Sequence, residues 1–210
     1  NTAMWAMVAI GKWRSVYDPP YKNLPAVRVH LLNPAPSVLK SFAPEVRRVA
    51  LYYQRWLPNW PFDELEVFEA PMQCNGYTWI APHGMVSVQK TLVAGSARVG
   101  ERGAAQFLKH RPHLESGLFA HELAHQYWGH VARPANTEDF WIAETFAESY
   151  ACMYVAAGFK PKDCEVRQKQ NRRLWEREYR NKTHIRASLT DAYRSLYQPE
   201  IVYQYGPYVM

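Results

Sequence analysis

The stretch that decides the fold is Phe119-Ala-His121-Glu122-Leu-Ala-His125-Gln-Tyr-Trp-Gly129, followed nineteen positions after His125 by Glu144. On a helix, the two histidines of His-Glu-x-x-His stand four residues apart, so both imidazoles lie on one face and can hold one metal ion. A catalytic zinc site has three nitrogen, sulfur or carboxylate ligands and one open position. The pattern predicts zinc bound by His121, His125 and Glu144. Glu122 points away from that face and is left to act as a base.

Glu144 lies in an apolar segment with helical periodicity that also contains Glu148. The two carboxylates are four residues apart and therefore share one face of this helix. Carboxylates are rarely buried without a partner, and a zinc-bound histidine usually donates its second ring N–H to an oxygen. We predict that Glu148 accepts such a hydrogen bond. The alternative is that both glutamates are solvated at an exposed edge of the helix.

A metalloprotease layout with a third histidine is excluded by the sequence. The pattern H-E-x-x-H-x-x-G-x-x-H requires glycine and histidine where this chain has Trp128 and Val131. His130 lies five residues after His125 and turns away from the face of the first two histidines. We interpret His130 as a structural or cleft-lining residue.

The motif, with two aromatic residues and Gly129 after it and eighteen residues between His125 and Glu144, resembles the M1 family of zinc metallopeptidases, the group of aminopeptidase N and leukotriene A4 hydrolase. The flanks extend the resemblance, through residues 49–71 upstream and Ile201-Val-Tyr203-Gln-Tyr-Gly206 downstream. The resemblance implies an α+β, thermolysin-like (gluzincin) catalytic domain. It would have a strand-rich N-terminal lobe (1–115) and a helical C-terminal lobe (116–210), with the zinc helix at their junction.

The resemblance also implies zinc-dependent hydrolysis of peptide bonds. Zinc would activate a water molecule and polarise the scissile carbonyl, and Glu122 would act as general base. Tyr203 would be the catalytic tyrosine, whose hydroxyl donates to the developing oxyanion. Other tyrosines of the same segment remain alternatives for that role, namely Tyr193, Tyr197, Tyr205 and Tyr208.

The chain departs from the family pattern in the Gly-x-Met-Glu-Asn region, whose glutamate helps to hold a substrate's free amino group. No Asp or Glu occurs between Glu69 and Glu101. An ammonium group facing neutral Gln73 or Asn75 would lose most of its charge pairing. The sequence therefore leaves open whether the chain would act as an exopeptidase or as an endopeptidase. The alternative function is a binding or sensory module that keeps the metal but has weak or no activity.

Composition favours one globular unit that acts on a peptide or protein substrate. The chain has 210 residues, 48% of them hydrophobic, which suffices for one sizeable core. Residues 160–182 carry nine Lys and Arg against four Asp and Glu, which accounts for most of the net charge of +6. We interpret this stretch as a solvated helix face and expect no nucleic-acid partner. Because the chain begins with Asn and stops after the Tyr203 segment, we expect a single catalytic domain (1–210) excised from a longer protein.

The sequence contains no signal that assigns the chain to a compartment. No apolar run is long enough to span a membrane, and the localisation and oligomeric state are left open.

Three cysteines, Cys74, Cys152 and Cys164, are expected as free thiols, with a bridge from Cys74 to one of the others as the alternative. The predicted strands are 4–17, 26–32, 64–70 and 84–93, and the predicted helices are 41–57, 116–130, 139–157, 163–180 and 187–197.

Overall fold

The computed structural model describes residues 10–34, 36–70, 83–89, 114–136 and 139–158, and the single positions 165, 168, 169, 172, 173 and 176. Within these residues the elements are β1 (Arg14–Asp18), β2 (Ala26–Leu31), α1 (Pro36–Tyr53), β3 (Glu64–Ala70), β4 (Met85–Gln89), α2 (Leu114–Ala124) and α3 (Phe140–Gly158). A mixed sheet is combined with helices, and the predicted α+β class is confirmed.

The four described strands form one sheet in the order β1-β2-β3-β4. β1 and β2 pair antiparallel, whereas β2 with β3 and β3 with β4 pair parallel. Parallel neighbours need a crossover connection, and α1 provides it between β2 and β3. Val27, Val29 and Leu31 of β2 are fully buried, as are Leu65 and Val67 of β3, so the centre of the sheet lies in the core.

Helix α1 packs one apolar face against the sheet. Val46, Val49, Ala50 and Tyr53 follow the i, i+3, i+4, i+7 spacing of such a face, and each is at most 1% exposed. The predicted helix 41–57 is wrong at both ends. The helix begins at Pro36 because proline needs no N–H bond partner in the first turn. It ends at Tyr53 and passes into a turn in which Trp56 N and Leu57 N both donate to Tyr53 O.

Helices α2 and α3 pack against each other. Ala120 and Ala124 of α2 and Ala147 and Ala151 of α3 are all completely buried. His121 of α2 reaches both Glu144 and Glu148 of α3. None of the helices in the described part of the chain has the length and apolar character needed to cross a membrane.

Several sequence expectations are corrected by the structure. Residues 10–13 are not part of a strand, although 4–17 was predicted, and residues 4–9 lie outside the described part. Helix α2 stops at Ala124 instead of continuing to residue 130. Cys152 is disulfide-bonded, so the expectation of three free thiols is wrong. The predicted helix 187–197 lies outside the described residues, whereas the six described positions between 165 and 176 are helical.

Candidate metal centre

The ligating atoms of His121, His125 and Glu144 form a compact triangle between α2 and α3. The Nε2 atoms of the two histidines are 3.1 Å apart. Glu144 Oε2 lies 3.2 Å from His121 Nε2 and 3.3 Å from His125 Nε2. The histidines come from the end of α2 and the turn after it, and the carboxylate comes from the second turn of α3. Three groups that can each bind a metal thus converge on one point.

The size of this triangle fits a zinc ion. Zinc bonds to nitrogen and carboxylate oxygen at about 2.0–2.2 Å, and two ligands of a regular tetrahedron at that radius are about 3.4 Å apart. Each of the three observed separations is within about 0.3 Å of that value. A set of two imidazoles and one carboxylate is also the chemistry of catalytic zinc sites, which leave the fourth position open. The residues present therefore fit the metal that the sequence motif predicts.

Each histidine has an oxygen partner on its other ring nitrogen. Glu148 Oε2 lies 3.2 Å from His121 Nδ1. The backbone oxygen of Trp128 lies 3.0 Å from His125 Nδ1. Such contacts orient imidazoles and keep Nε2 available to a metal. The Trp128 carbonyl was not anticipated, because the partner is backbone and the residue type carries no signal for it.

Gly129 allows the turn that places the Trp128 carbonyl. Its φ of 118° lies in a region that side-chain-bearing residues rarely adopt. The turn also brings Gly129 N to within 2.9 Å of Ala132 O, which closes the loop after the His-Glu-x-x-His motif. The glycine of the motif is thus required by backbone geometry beside His125.

Electrostatic coupling within the cluster is strong in the metal-free protein. Burial by itself would lower the pKa of His121, but hydrogen bonds to Glu144 and Glu148 raise the pKa to about 10. Burial would also lower the pKa of His125, and the charge of Glu144 raises it instead. Conversely, burial would raise the pKa of Glu144, whereas the two histidines hold it well below the ordinary range. The Glu144 carboxylate thus favours positive charge on the two imidazoles.

Glu122 lies next to this cluster in a different electrostatic environment. Glu122 is 7% exposed, and no side-chain hydrogen bond to it is found among the described residues. Burial raises the pKa of the carboxyl, and the nearby charges of His121 and His125 offset this only in part. A carboxylate that is buried, weakly solvated and close to cationic groups is suited to taking and releasing a proton.

Some of the remaining predicted site residues lie in the described part of the chain, and others lie outside it. Tyr203 lies outside the described residues, as do residues 71–82 of the region that departs from the family pattern. His130 stands edge-on to His83, with ring centroids 5.7 Å apart, and does not join the triangle. Sequence reasoning missed Gln126, which is fully buried and contacts the backbone at the start of β4. Its position directly after His125 was the available signal.

Comparison with known proteins finds a likeness in fold. No family model matches the chain, and no curated protein matches it by sequence. Among solved structures, a crystal structure of a mutant M1 zinc metallopeptidase from Deinococcus radiodurans superimposes with a TM-score of 0.59 at 15% sequence identity. The match covers 94% of this chain and 39% of that one, so the chain spans well under half the length of this relative. The likeness establishes a shared fold.

Proposed function

We propose that this chain is the catalytic domain of a zinc-dependent, M1-like metallopeptidase that hydrolyses peptide bonds. The observation that carries the proposal is the convergence of His121, His125 and Glu144, whose ligating atoms lie 3.1–3.3 Å apart. The fold shared with an M1 zinc metallopeptidase supports it. The domain would comprise residues 1–210, with a strand-rich lobe (1–115) and a helical lobe (116–210) that meet at the zinc helix.

In the proposed mechanism, His121, His125 and Glu144 would hold the zinc ion, and Glu148 and the Trp128 carbonyl keep the imidazoles in place. Bound zinc supplies the Lewis acidity that activates a water molecule and polarises the scissile carbonyl. Glu122 accepts the proton of the attacking water and later delivers it to the leaving amine. The Tyr203 hydroxyl donates to the oxygen on which negative charge develops.

Burial of Glu122 supports an enzyme over a binding module that keeps its metal. A buried carboxylate without a hydrogen-bond donor among the described residues costs folding free energy. A module that only binds would lose nothing by replacing it with an apolar side chain. The binding or sensory module is the second candidate, and the acid-free stretch between Glu69 and Glu101 is the observation that favours it.

Digestion of a peptide library by the zinc-loaded protein, read by mass spectrometry, tests the proposal. We expect cleavage at internal or terminal bonds that disappears in His121→Ala, together with the zinc. His130→Ala is the matched control, because this histidine follows the same motif but lies outside the triangle. Zinc at one equivalent in His121→Ala would overturn the metal assignment. Zinc binding without any cleavage by the native sequence would favour the binding module.

A further inference from the structure

A groove outside the metal centre lies beside α1. It has a volume of about 600 Å³ and is lined by the segment after β1, by α1 and by the end of α3. The residues from α1 recur at the spacing of one helix face, namely Pro44, Arg47, Arg48, Leu51 and Tyr52. Tyr154 of α3 lines the groove and lies about 15 Å along the helix axis from Glu144. The groove therefore contains none of the residues of the metal cluster.

The charged residues that line the groove give it a surplus of positive charge. They are the arginines Arg47, Arg48 and Arg55 and the carboxylate of Asp18. Arg47 Nε lies 2.6 Å from Asp18 Oδ2, so this pair is a neutral part of the wall. Arg48 pairs with Glu45, but 59% of its side chain is exposed. Three guanidinium groups are therefore opposed by two carboxylates, which favours an anionic ligand.

Arg55, in the turn after α1, carries the charge that no carboxylate balances within the described part of the chain. It is exposed, and its guanidinium lies over the ring of Tyr52, 5.9 Å from the centroid. Tyr52 is itself fixed, because its hydroxyl donates a 3.0 Å hydrogen bond to Met153 O of α3. Arg48, Tyr52 and Arg55 follow the i, i+4, i+7 spacing of one helix face. Both exposed guanidinium groups can therefore donate to one phosphate, whose oxygens match their planar fork.

Aromatic rings supply a second kind of contact in the groove. Tyr21 is 47% exposed, and the guanidinium of Arg47 lies 5.7 Å from its ring centroid. Tyr154 contributes the ring on the α3 side. The volume is within the range of about 300–1,000 Å³ that is usual for sites of small organic ligands, and it exceeds what a single phosphate fills. A ligand that fills this groove therefore has a planar part for the rings in addition to its charged group.

We propose that the groove beside α1 binds a nucleotide, with its phosphate on Arg48 and Arg55 and its base against the exposed ring of Tyr21. A phosphate monoester carries more than one negative charge near neutral pH, which complements the surplus of positive charge. The base supplies the planar surface that stacks on an aromatic ring. This site is independent of the proposed peptidase function, because it uses none of the residues that would bind zinc or substrate.

Calorimetric titration of the protein with adenosine monophosphate tests the proposal. We expect a dissociation constant below about 1 mM, and binding of adenosine, ribose 5-phosphate and inorganic phosphate weaker by on the order of 10-fold or more, since each lacks one of the two contacts. Equal affinity for ribose 5-phosphate would overturn the base contact, and equal affinity for adenosine would overturn the phosphate contact. The same affinity is expected in His121→Ala. Loss of binding in that variant would place the phosphate at the metal and overturn the groove.

Substitutions at exposed positions locate the site on the protein. Arg55→Gln should weaken nucleotide binding on the order of 10-fold or more, because it removes charge-assisted hydrogen bonds. Leu51→Glu should abolish it, since this places a negative charge in the groove. Arg14→Gln is the matched control, because it removes the same charge on β1 about 13 Å along the strand from Asp18. Thermal unfolding checks that each variant is folded, as expected for exposed residues.

The control separates a site from general attraction of anions. Native affinity in Arg14→Gln with a loss in Arg55→Gln upholds the groove, even if the protein hydrolyses no peptide. Equal losses in these two variants would show attraction by net charge alone and would overturn the site. Tyr21→Leu should weaken the nucleotide on the order of 10-fold and leave ribose 5-phosphate unchanged. Unchanged nucleotide affinity in Tyr21→Leu would overturn the assigned base contact.

Discussion

The imidazole of His121 lies between two carboxylates one helical turn apart on α3. Glu144 Oε2 is 3.2 Å from Nε2, and Glu148 Oε2 is 3.2 Å from Nδ1. Glu144 therefore lies at Nε2, the nitrogen that would bind a metal, and Glu148 contacts Nδ1 on the opposite side of the ring. This arrangement gives the two glutamates different tasks, although both are buried residues of the same helix.

Replacing Glu148 should weaken zinc binding without abolishing it. Glu148→Gln removes the charge that orients His121 and raises its basicity, and loss of such an outer partner typically costs 10- to 100-fold in metal affinity. Competition with a chromogenic chelator would measure the dissociation constant. Glu66→Gln, a partly exposed glutamate of β3, is the control and should match the native protein. A dissociation constant within 2-fold of native in Glu148→Gln would contradict this role.

Replacing Glu122 should separate catalysis from metal binding. Glu122→Gln keeps the side-chain shape and the zinc but cannot accept a proton, so turnover should drop on the order of 10²-fold or more. Initial rates on a peptide substrate, normalised to bound zinc, would show this. Glu45→Gln is a control glutamate on α1, paired with Arg48 and away from the cluster. Retained activity in Glu122→Gln would mean that another group is the base.

Replacing Tyr203 should affect the transition state more than substrate binding. Tyr203→Phe removes a hydroxyl donor that is used mainly when the oxyanion forms, so kcat should fall about 10²-fold or more with little change in KM. Tyr205→Phe, two residues away, is the matched control. If only the control variant loses activity, the donor is Tyr205.

The stability of the zinc-free domain should depend on pH in a defined direction. His121 has a pKa raised to about 10 from 6.5, so its contribution is complete below about pH 6.5 and is lost as pH rises toward 10. Glu144 has a lowered pKa, so its contribution is present above about pH 4.5 and is lost in more acidic solution. Melting temperatures in chelator across pH 4 to 10 should therefore decline on the alkaline side. His121→Ala should flatten that decline, and an unchanged slope in this variant would contradict the coupling.

Acetylating the amino terminus of a peptide substrate should leave its turnover about unchanged. A free ammonium loses its water on entering a cleft, which costs several kcal/mol unless carboxylates replace that water. The stretch between Glu69 and Glu101 contains no acid, and Glu144 and Glu148 are engaged with His121. Rates on matched free and acetylated peptides would test this. A large loss on acetylation would reveal an amine anchor elsewhere, with Glu138 or Asp139 as the first candidates.

Local sequence patterns predict those helices and strands whose boundaries are set by neighbouring residues. β3 was expected at 64–70 and is Glu64–Ala70, because alternating apolar residues are bounded by clear turn signals. α3 was expected at 139–157 and is Phe140–Gly158. The end of α2 was missed, since the turn after Ala124 depends on the unusual backbone of Gly129 and on its bond to Ala132. A turn of this kind produces no periodic pattern of apolar residues in the sequence.

The sequence by itself determined which residues could form the site, because His-Glu-x-x-His has a fixed spacing on a helix and an apolar helix with two carboxylates needs partners for them. Only the tertiary structure decided that α2 and α3 pack together, which brings Glu144 within 3.3 Å of both histidines. It alone revealed the Trp128 carbonyl on His125 and the Gln126 amide on β4. The partners in these contacts are backbone groups, which are the same in every residue, so the sequence does not show which of them the His125 and Gln126 side chains reach.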